Sequence, residues 1–361
     1  MNDPKELVVK VVELTGSNYQ IGGLQAEQLR QESNWNGPYQ NMEKNPDFNC
    51  FQAREKLNKV HPNILEEIYG LADGLGIDRN TAIEWYSGYN VIFPEMGCTT
   101  LVSDSFYVRN YDFSDQLYDA RLVLMNPIKG YASIGFSQQI IGRLDGMNEK
   151  GLVIGLHFVN QMYKEEGFIA TTIVRMVLDQ CATTDEAIQL IKDIPHGYCY
   201  NYSITDKQGK GAIVEASPQK QIVKFATPLV CTNHFESEAL KGKNRETIQG
   251  SLHRKDYLLK LIKQRLTPLS AYHSFNGNHS KLFFHHYKEY FGTLHTVVYL
   301  PNKLEVILGI GYDSDPLTIS LKDWLAGKTV VPKAIKGNIY TNRVILVYSK
   351  IFFVKDEAYK C

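Results

Sequence analysis

The residue types best suited to chemistry lie in two neighbouring runs. One is Gly97-Cys98-Thr99-Thr100-Leu101-Val102-Ser103, and the other is Phe106-Tyr107-Val108-Arg109-Asn110-Tyr111-Asp112-Phe113. A thiol attacks only as thiolate, and a free Cys has a pKa of about 8.5, so a cation beside the sulfur matters. Both runs are rich in strand formers, and the turn at 103–105 predicts an antiparallel hairpin. Cys98 then opens one strand and Arg109 and Asp112 stand on the other, so that thiol, cation and carboxylate meet. In that arrangement Arg109 favours the thiolate and Asp112 orients the proton carrier. Two bland alternatives stay open on the residues alone. A strand Cys is more often a small buried apolar residue, and an internal Cys98 could instead pair with a histidine such as His157 or His234.

Other motifs fail on spacing. Gly327-Lys328-Thr329 is no phosphate loop, because Lys322 occupies the place of that motif's first glycine. Gly309-Ile310-Gly311-Tyr312 lacks the third glycine of a dinucleotide fingerprint. His285, His286 and His295 have no zinc-site spacing. No metal or organic cofactor is expected.

These residues need elements to position them. Residues 5–14 read as a strand, Ser17 or Asn18 caps a helix to about Glu32, and the Asn-rich stretch 31–51 reads as a loop. Ile64, Leu65, Ile68 and Leu71 fall at helical spacing, and Asn80-Thr81 starts another helix, so the first 97 residues are mainly helical. From 98 onward short β-rich runs alternate with helices at 171–181, 184–193 and 251–265, and a strand pair follows at 294–300 and 304–309. Clusters of strands between helix pairs predict layered α+β packing rather than a parallel βαβ series. The last segment, 340–361, is a strand pair or a loosely packed tail. Segments 1–97, 98–330 and a C-terminal extension, 331–361, are thus distinguished, the first two as parts of one domain.

The chain has 361 residues, 43% hydrophobic and 22% charged, which is ordinary globular usage. Lys+Arg and Asp+Glu both total 39, which removes the global positive field of many nucleic-acid binders. The N-terminal apolar run is interrupted by charges, so no signal peptide is read, and no stretch suits a membrane span. A cytoplasmic protein is expected, with its six cysteines as free thiols. Neither nucleic acid nor membrane is expected as a partner, and homo-oligomerisation is left open. The 22 Tyr and 16 Phe suit an apolar pocket and a core equally.

Four blocks carry a resemblance: Gly97-Cys98-Thr99-Thr100 with Arg109-Asn110-Tyr111-Asp112-Phe113; Asp145-Gly-Met-Asn148-Glu-Lys-Gly151-Leu continuing to Gly155-Leu-His157-Phe; Val230-Cys-Thr-Asn233-His; and Ser251-Leu-His-Arg254. In order and approximate spacing, across about residues 98–310, the chain resembles the choloylglycine hydrolase superfamily of N-terminal nucleophile hydrolases. That group includes bile salt hydrolases, penicillin V acylases and isopenicillin N acyltransferase. The resemblance implies a four-layer αββα fold, no cofactor, and a small-molecule N-acyl amide substrate, penicillin-like or conjugated-bile-acid-like.

It also implies roles. The nucleophilic Cys begins the mature chain because its own α-amine, with a pKa of about 7.7 to 8.0, is the proton acceptor. Since 97 residues precede Cys98, the resemblance is nearest to the acyltransferase branch, whose precursor cuts itself at a Gly-Cys bond, here Gly97-Cys98. Asp112 would hold the amine, and Arg109 and Arg254 would bias charge. The His157 N–H with the Asn233 amide would stabilise the oxyanion. His157 departs from the Asn or Tyr usual at its position, and Arg245 competes with Arg254 for the last role.

Overall fold

Leu7 and Val9 alternate with Val12 and Leu14 along the first strand, β1 (Asp3–Gly16), so both of its faces are apolar. Val12 and Leu14 pack with Val123, Met125 and Ile21 of the next helix, whereas Leu7 and Val9 join the main core with Leu122 and Leu124. A capping box starts that helix, α1 (Asn18–Arg30): the Ser17 hydroxyl accepts from the Gln20 N–H, and Gln20 Oε1 accepts from the Ser17 N–H. The structure, a computed structural model, describes residues 3–31, 45–92, 94–287 and 291–341. Three further helices follow, α2 (Cys50–Val60), α3 (Pro62–Leu75) and α4 (Arg79–Tyr86). Helix α2 begins inside the stretch read as a loop. Only Ala53 and Leu57 are fully buried on it, too faint a stripe to register as periodicity. Most of that stretch, 32–44, lies outside the described residues.

The chain continues through β2 (Gly97–Val102), β3 (Tyr107–Phe113), β4 (Arg121–Pro127), β5 (Ser133–Gln138), β6 (Gly142–Arg143), β7 (Asp145–Asn148) and β8 (Val153–Asn160). After α5 (Ala170–Gln180) and α6 (Thr184–Asp193) come β9 (Cys199–Thr205), β10 (Ala212–Ala216), β11 (Gln221–Phe225) and β12 (Leu229–Cys231). Helices α7 (Gln249–Leu261) and α8 (Pro268–Asn276) precede β13 (His285–His286), β14 (Phe291–Leu300), β15 (Glu305–Ile310) and β16 (Leu317–Ser320); α9 (Leu321–Leu325) and β17 (Ala334–Thr341) close the described chain.

Two sheets result. The first runs β11-β10-β9-β8-β7-β5-β4-β1-β17 with β6 beside β5, and the second runs β12-β2-β3-β14-β15-β16 with β13 beside β14. They lie face to face: Tyr107 of β3 reaches Ser203 of β9 at 2.8 Å, and Arg109 of β3 reaches the Leu156 carbonyl of β8 at 2.6 Å. Helices α1, α5 and α6 pack on the first sheet and α7 and α8 on the second, which makes the four αββα layers that the sequence implies. Residues 334–341, placed by sequence in an extension, pair antiparallel with β1 and form the edge of the first sheet; 342–361 lie outside the described residues. Among the described residues, no helix is long and apolar enough to cross a membrane.

Candidate active site

Cys98 is the second residue of β2 and is fully buried. β2 and β3 form the expected hairpin, with Cys98 opposite Tyr111 and Gly97 opposite Asp112. Arg109 stands on the face that looks across to the first sheet, and its Nη2 donates to Cys98 Sγ at 2.9 Å. That approach needs a bare backbone on the facing strand. A Cβ at Gly155 would lie 2.2 Å from the Tyr107 hydroxyl and 2.8 Å from Arg109 Nε. Gly97 is confined in a similar way, since a Cβ there would meet the Phe291 ring at 2.0 Å.

Asp112 departs from the sequence reading. It is three residues from Arg109, and side chains alternate along a strand, so the two point to opposite faces of the second sheet. Asp112 looks toward the α7 and α8 layer, where Oδ1 accepts from the Thr293 hydroxyl at 2.6 Å and Oδ2 lies 3.8 Å from Arg254 Nη1. Oδ2 is buried without a hydrogen-bond partner. The thiol and the carboxylate therefore flank β2 from different sides, with the backbone of Gly97 and Cys98 between them.

Arg254 and Asn233 grip that backbone. Arg254 extends from α7 and donates through Nη1 to the Cys98 carbonyl and the Thr99 hydroxyl, both at 2.8 Å, and through Nη2 to Asn233 Oδ1 at 2.9 Å. Arg254, rather than Arg245, thus sits at Cys98. Asn233 Oδ1 also accepts the Cys98 N–H at 3.0 Å, and Asn233 Nδ2 donates to the Phe158 carbonyl at 2.8 Å. These three contacts agree on the orientation of the amide. Asn233 is thus first an acceptor for the Cys98 nitrogen, with one amide hydrogen left over. The Asn233 backbone N–H donates to the Ser251 hydroxyl at 2.8 Å, which ties β12 to the start of α7.

His157 lies in β8 opposite Asn201. The site-facing edge of β8 is marked by Leu156, whose N–H donates to the Leu144 carbonyl and whose carbonyl accepts from Arg109, and by Phe158, whose carbonyl accepts from Asn233. Because amides alternate in direction along a strand, the His157 N–H turns the other way, toward Asn201. That direction counts against the oxyanion role implied by sequence. The His157 imidazole contacts Ser203 at 2.8 Å through Nε2, and the ring also meets the Cys98 backbone.

Sequence reasoning missed one group. Asp145 opens the most specific of the matching blocks, yet its residue type and position there suggest no role. Its Oδ2 lies 3.5 Å from Arg109 Nε, Tyr299 donates to its Oδ1 at 2.6 Å, and His295 Nε2 is 3.4 Å away. His295 in turn contacts the Tyr118 hydroxyl at 2.9 Å and stacks on Phe136 with ring centroids 3.6 Å apart. Arg109 is therefore held against Cys98 by a buried carboxylate from the opposite sheet. Neither local periodicity nor hairpin geometry reports a contact of that kind.

A model of the acyl-coenzyme A:6-aminopenicillanic acid acyl-transferase family matches residues 100–314. The chain belongs to that family. Among solved structures, this acyl-transferase family member is similar to a mutant of conjugated bile acid hydrolase from Clostridium perfringens, with 14% identity over 63% of this chain and 93% of that one and a TM-score of 0.45. It is also similar to penicillin V acylase from Agrobacterium tumefaciens, with 14% identity over 63% and 86% of the two chains and a TM-score of 0.39. For the N-acylethanolamine-hydrolyzing acid amidase ortholog of Caenorhabditis elegans the values are 13%, 57%, 93% and 0.32. No curated protein matches.

Electrostatics in this acyl-transferase family member corrects one further expectation. Burial pushes the Cys98 thiol up to about 12, and Arg109 only partly offsets it. The thiol of the uncut chain is thus protonated and shielded, not an exposed thiolate. Burial also raises the Asp112 carboxyl, with Arg254 and Thr293 acting against it. For Asp145 burial works upward too, but His295, Arg109 and Tyr299 together hold it below its ordinary value.

Burial keeps His157, His196, His234 and His295 neutral, His196 and His234 down to about pH 4. The unfolded chain protonates these rings below about pH 6.5, so the unfolded state binds more protons there and stability falls as pH falls. For His196, a fall from 6.5 to about 4 is worth on the order of 3 kcal/mol over that window. Urea unfolding of wild type and His196→Leu at pH 7, 5.5 and 4.5 should show the variant losing about 1 kcal/mol less per pH unit across that range. Parallel pH profiles would remove His196 from this account. Asp112 and Asp119, raised by burial, act in the opposite sense at the acid end and cancel in the comparison.

Proposed function

We propose that the chain is the precursor of a cysteine amidohydrolase or acyltransferase that cuts itself between Gly97 and Cys98 and then acts on linear, non-peptide carboxamides. The observation that carries this reading is that the nitrogen and the sulfur of Cys98 are held separately. The sulfur lies against Arg109 and the nitrogen against Asn233, while Asp112 Oδ2, 3.8 Å from Arg254 Nη1, is buried without a hydrogen bond on the neighbouring strand β3. In self-cleavage, Sγ attacks the Gly97 carbonyl, the C–N bond breaks as the nitrogen takes a proton, and water hydrolyses the resulting thioester. The free α-amine of Cys98 then serves as base, with Asp112 Oδ2 and Asn233 Oδ1 to orient it. Substrate acyl groups pass through the same thioester to water or to another amine. The remaining Asn233 amide hydrogen is assigned to the oxyanion.

A papain-like pairing has less support. The rings of His157 and His234 are engaged with Ser203, Thr232 and Ser251, and no hydrogen bond joins either ring to the sulfur. N-terminal sequencing of active protein should yield a chain beginning Cys-Thr-Thr beside the original N-terminus. Hydrolysis across N-acyl amino acids, penicillins and conjugated bile acids should be confined to that cleaved material. Full activity from a wholly intact chain would overturn the proposal.

A further inference from the structure

Strand β14 is irregular where it crosses the candidate site. Thr293 pairs with Asp112 and His295 with Tyr111, neighbouring residues of β3, so Leu294 is the extra residue of a β-bulge. In an even strand Thr293 and His295 would share a face. The bulge parts them. Thr293 goes with Asp112 to the α7 and α8 side, whereas His295 goes with Tyr111 to the space between the sheets, where it meets Asp145 beside Arg109. Pairing then resumes, and the Thr296 hydroxyl donates to Asn110 Oδ1 at 2.7 Å. One strand thus reaches two carboxylates on opposite faces of the second sheet.

Thr293 is fully buried, and the single proton of its hydroxyl has one place to go. The hydroxyl oxygen accepts the Phe284 N–H at 2.9 Å, the Thr293 N–H donates to the Phe284 carbonyl at 2.9 Å, and the Tyr287 hydroxyl donates to the Thr293 carbonyl at 2.5 Å. Fixed in this way, the hydroxyl donates to Asp112 Oδ1 at 2.6 Å, while Oδ2 has no hydrogen bond among the described residues. We propose that Thr293 is a positioning residue for Asp112: it holds Oδ1 and so leaves Oδ2 for the amine freed at Cys98, and the bulge at Leu294 brings it there. This rests on the reading given under Proposed function. The other charged or titratable groups within reach of this carboxyl are Arg254 on α7, Tyr287 beyond β13, Cys98 on β2 and Arg109 on its own strand. Burial raises the carboxyl, and Arg254, Thr293 and Arg109 lower it. Without the hydroxyl it rises further and loses its charge at a higher pH, so the acid limb of kcat/KM moves upward.

The test compares cleaved wild type, Thr293→Val and Thr293→Ser on whichever N-acyl amino acid, penicillin or conjugated bile acid is turned over fastest. Thr293→Val keeps the shape and loses the hydroxyl. Its kcat should fall about tenfold or more with KM little changed, and its acid limb should move up by about half a pH unit or more. Thr293→Ser should restore both. A Thr293→Val profile parallel to wild type, or a Thr293→Ser loss as large as that of Thr293→Val, overturns the proposal and leaves the amidase reading standing. A second arm needs no turnover. In the Cys98→Ala chain, the urea midpoint of Thr293→Val should lie further below that of Thr293→Ser at pH 7 than at pH 4, because the ionised carboxyl gains most from the donor. With Asp112→Asn added, that gap should no longer change with pH. A gap equal at both pH values, or one that changes just as much with Asp112→Asn, overturns the tie to Asp112 whatever the catalytic assays show.

Discussion

Cys98→Ala should remain a single polypeptide of 41.1 kDa without detectable amide hydrolysis, whereas the natural chain should yield two pieces divided at Gly97. The buried Cys98 sulfur lies 2.9 Å from Arg109 Nη2, and the proposed cleavage has no other nucleophile. Cys98→Ser is the sharper variant because it keeps an attacking atom and the packing. It should cut slowly, if at all, since a hydroxyl is far harder to deprotonate than a thiol. Intact mass over time, with melting temperature as the folding control, reads both. A Cys98→Ala chain cut at the same bond would show that Cys98 is not the agent. A burial-raised thiol also means that substoichiometric alkylation should label Cys98 poorly in the uncut chain and preferentially after cutting.

Asn233→Ala carries the next largest effect, and the structure widens what the residue is asked to do. Its Oδ1 collects the Cys98 N–H and Arg254, and its Nδ2 reaches the Phe158 carbonyl. Truncation therefore removes the proposed oxyanion donor and also loosens the nitrogen that the proposed mechanism uses as base. The expected loss in kcat is on the order of 10²- to 10³-fold, or roughly 3 to 4 kcal/mol, with KM little changed. Self-cleavage should slow in parallel, because it passes through a similar oxyanion. Asn233→Asp separates the two roles: it keeps an oxygen for the Cys98 nitrogen and Arg254 but loses the amide hydrogens. If kcat on already cleaved Asn233→Ala stayed near normal while its melting temperature fell, the residue would be a strand-end tie and no more.

Much of this arrangement was legible in the chain. The Cys98 and Arg109 contact follows from two short apolar runs and the turn between them, because a hairpin fixes its own register. The same period-two logic, carried one step further, would have put Asp112 on the other face. The opposed direction of the His157 N–H likewise depends on which edge of β8 faces the site, and residue type does not tell that. Asp145 and its partners Tyr299 and His295 escaped notice because they bring two sheets together, 36 to 190 residues apart in sequence from Arg109. Helix α8 was missed for a local reason. Its start is marked only by Thr267 and Pro268, and its buried residues, Ala271, Tyr272, Phe275 and Asn276, span little more than one turn.

The position of β1 has a consequence for how a cut chain would come apart. This strand pairs in parallel with β4 on one side and antiparallel with β17 on the other, so residues from before and after the Gly97-Cys98 bond share one sheet. Glu67 of α3 is bound to Arg175 of α5 at 2.6 Å, and His61 lies 3.2 Å from Asp179, both buried pairs across the same division. Hydrolysis of one bond would leave these contacts in place while changing the molecularity of unfolding, from one chain losing order to two chains separating. The melting temperature of the cut form would then rise with protein concentration, as that of the intact chain does not. Refolding from the separated pieces would become a second-order search, so the mature enzyme would owe its persistence to a slow rate of parting more than to easy reassembly.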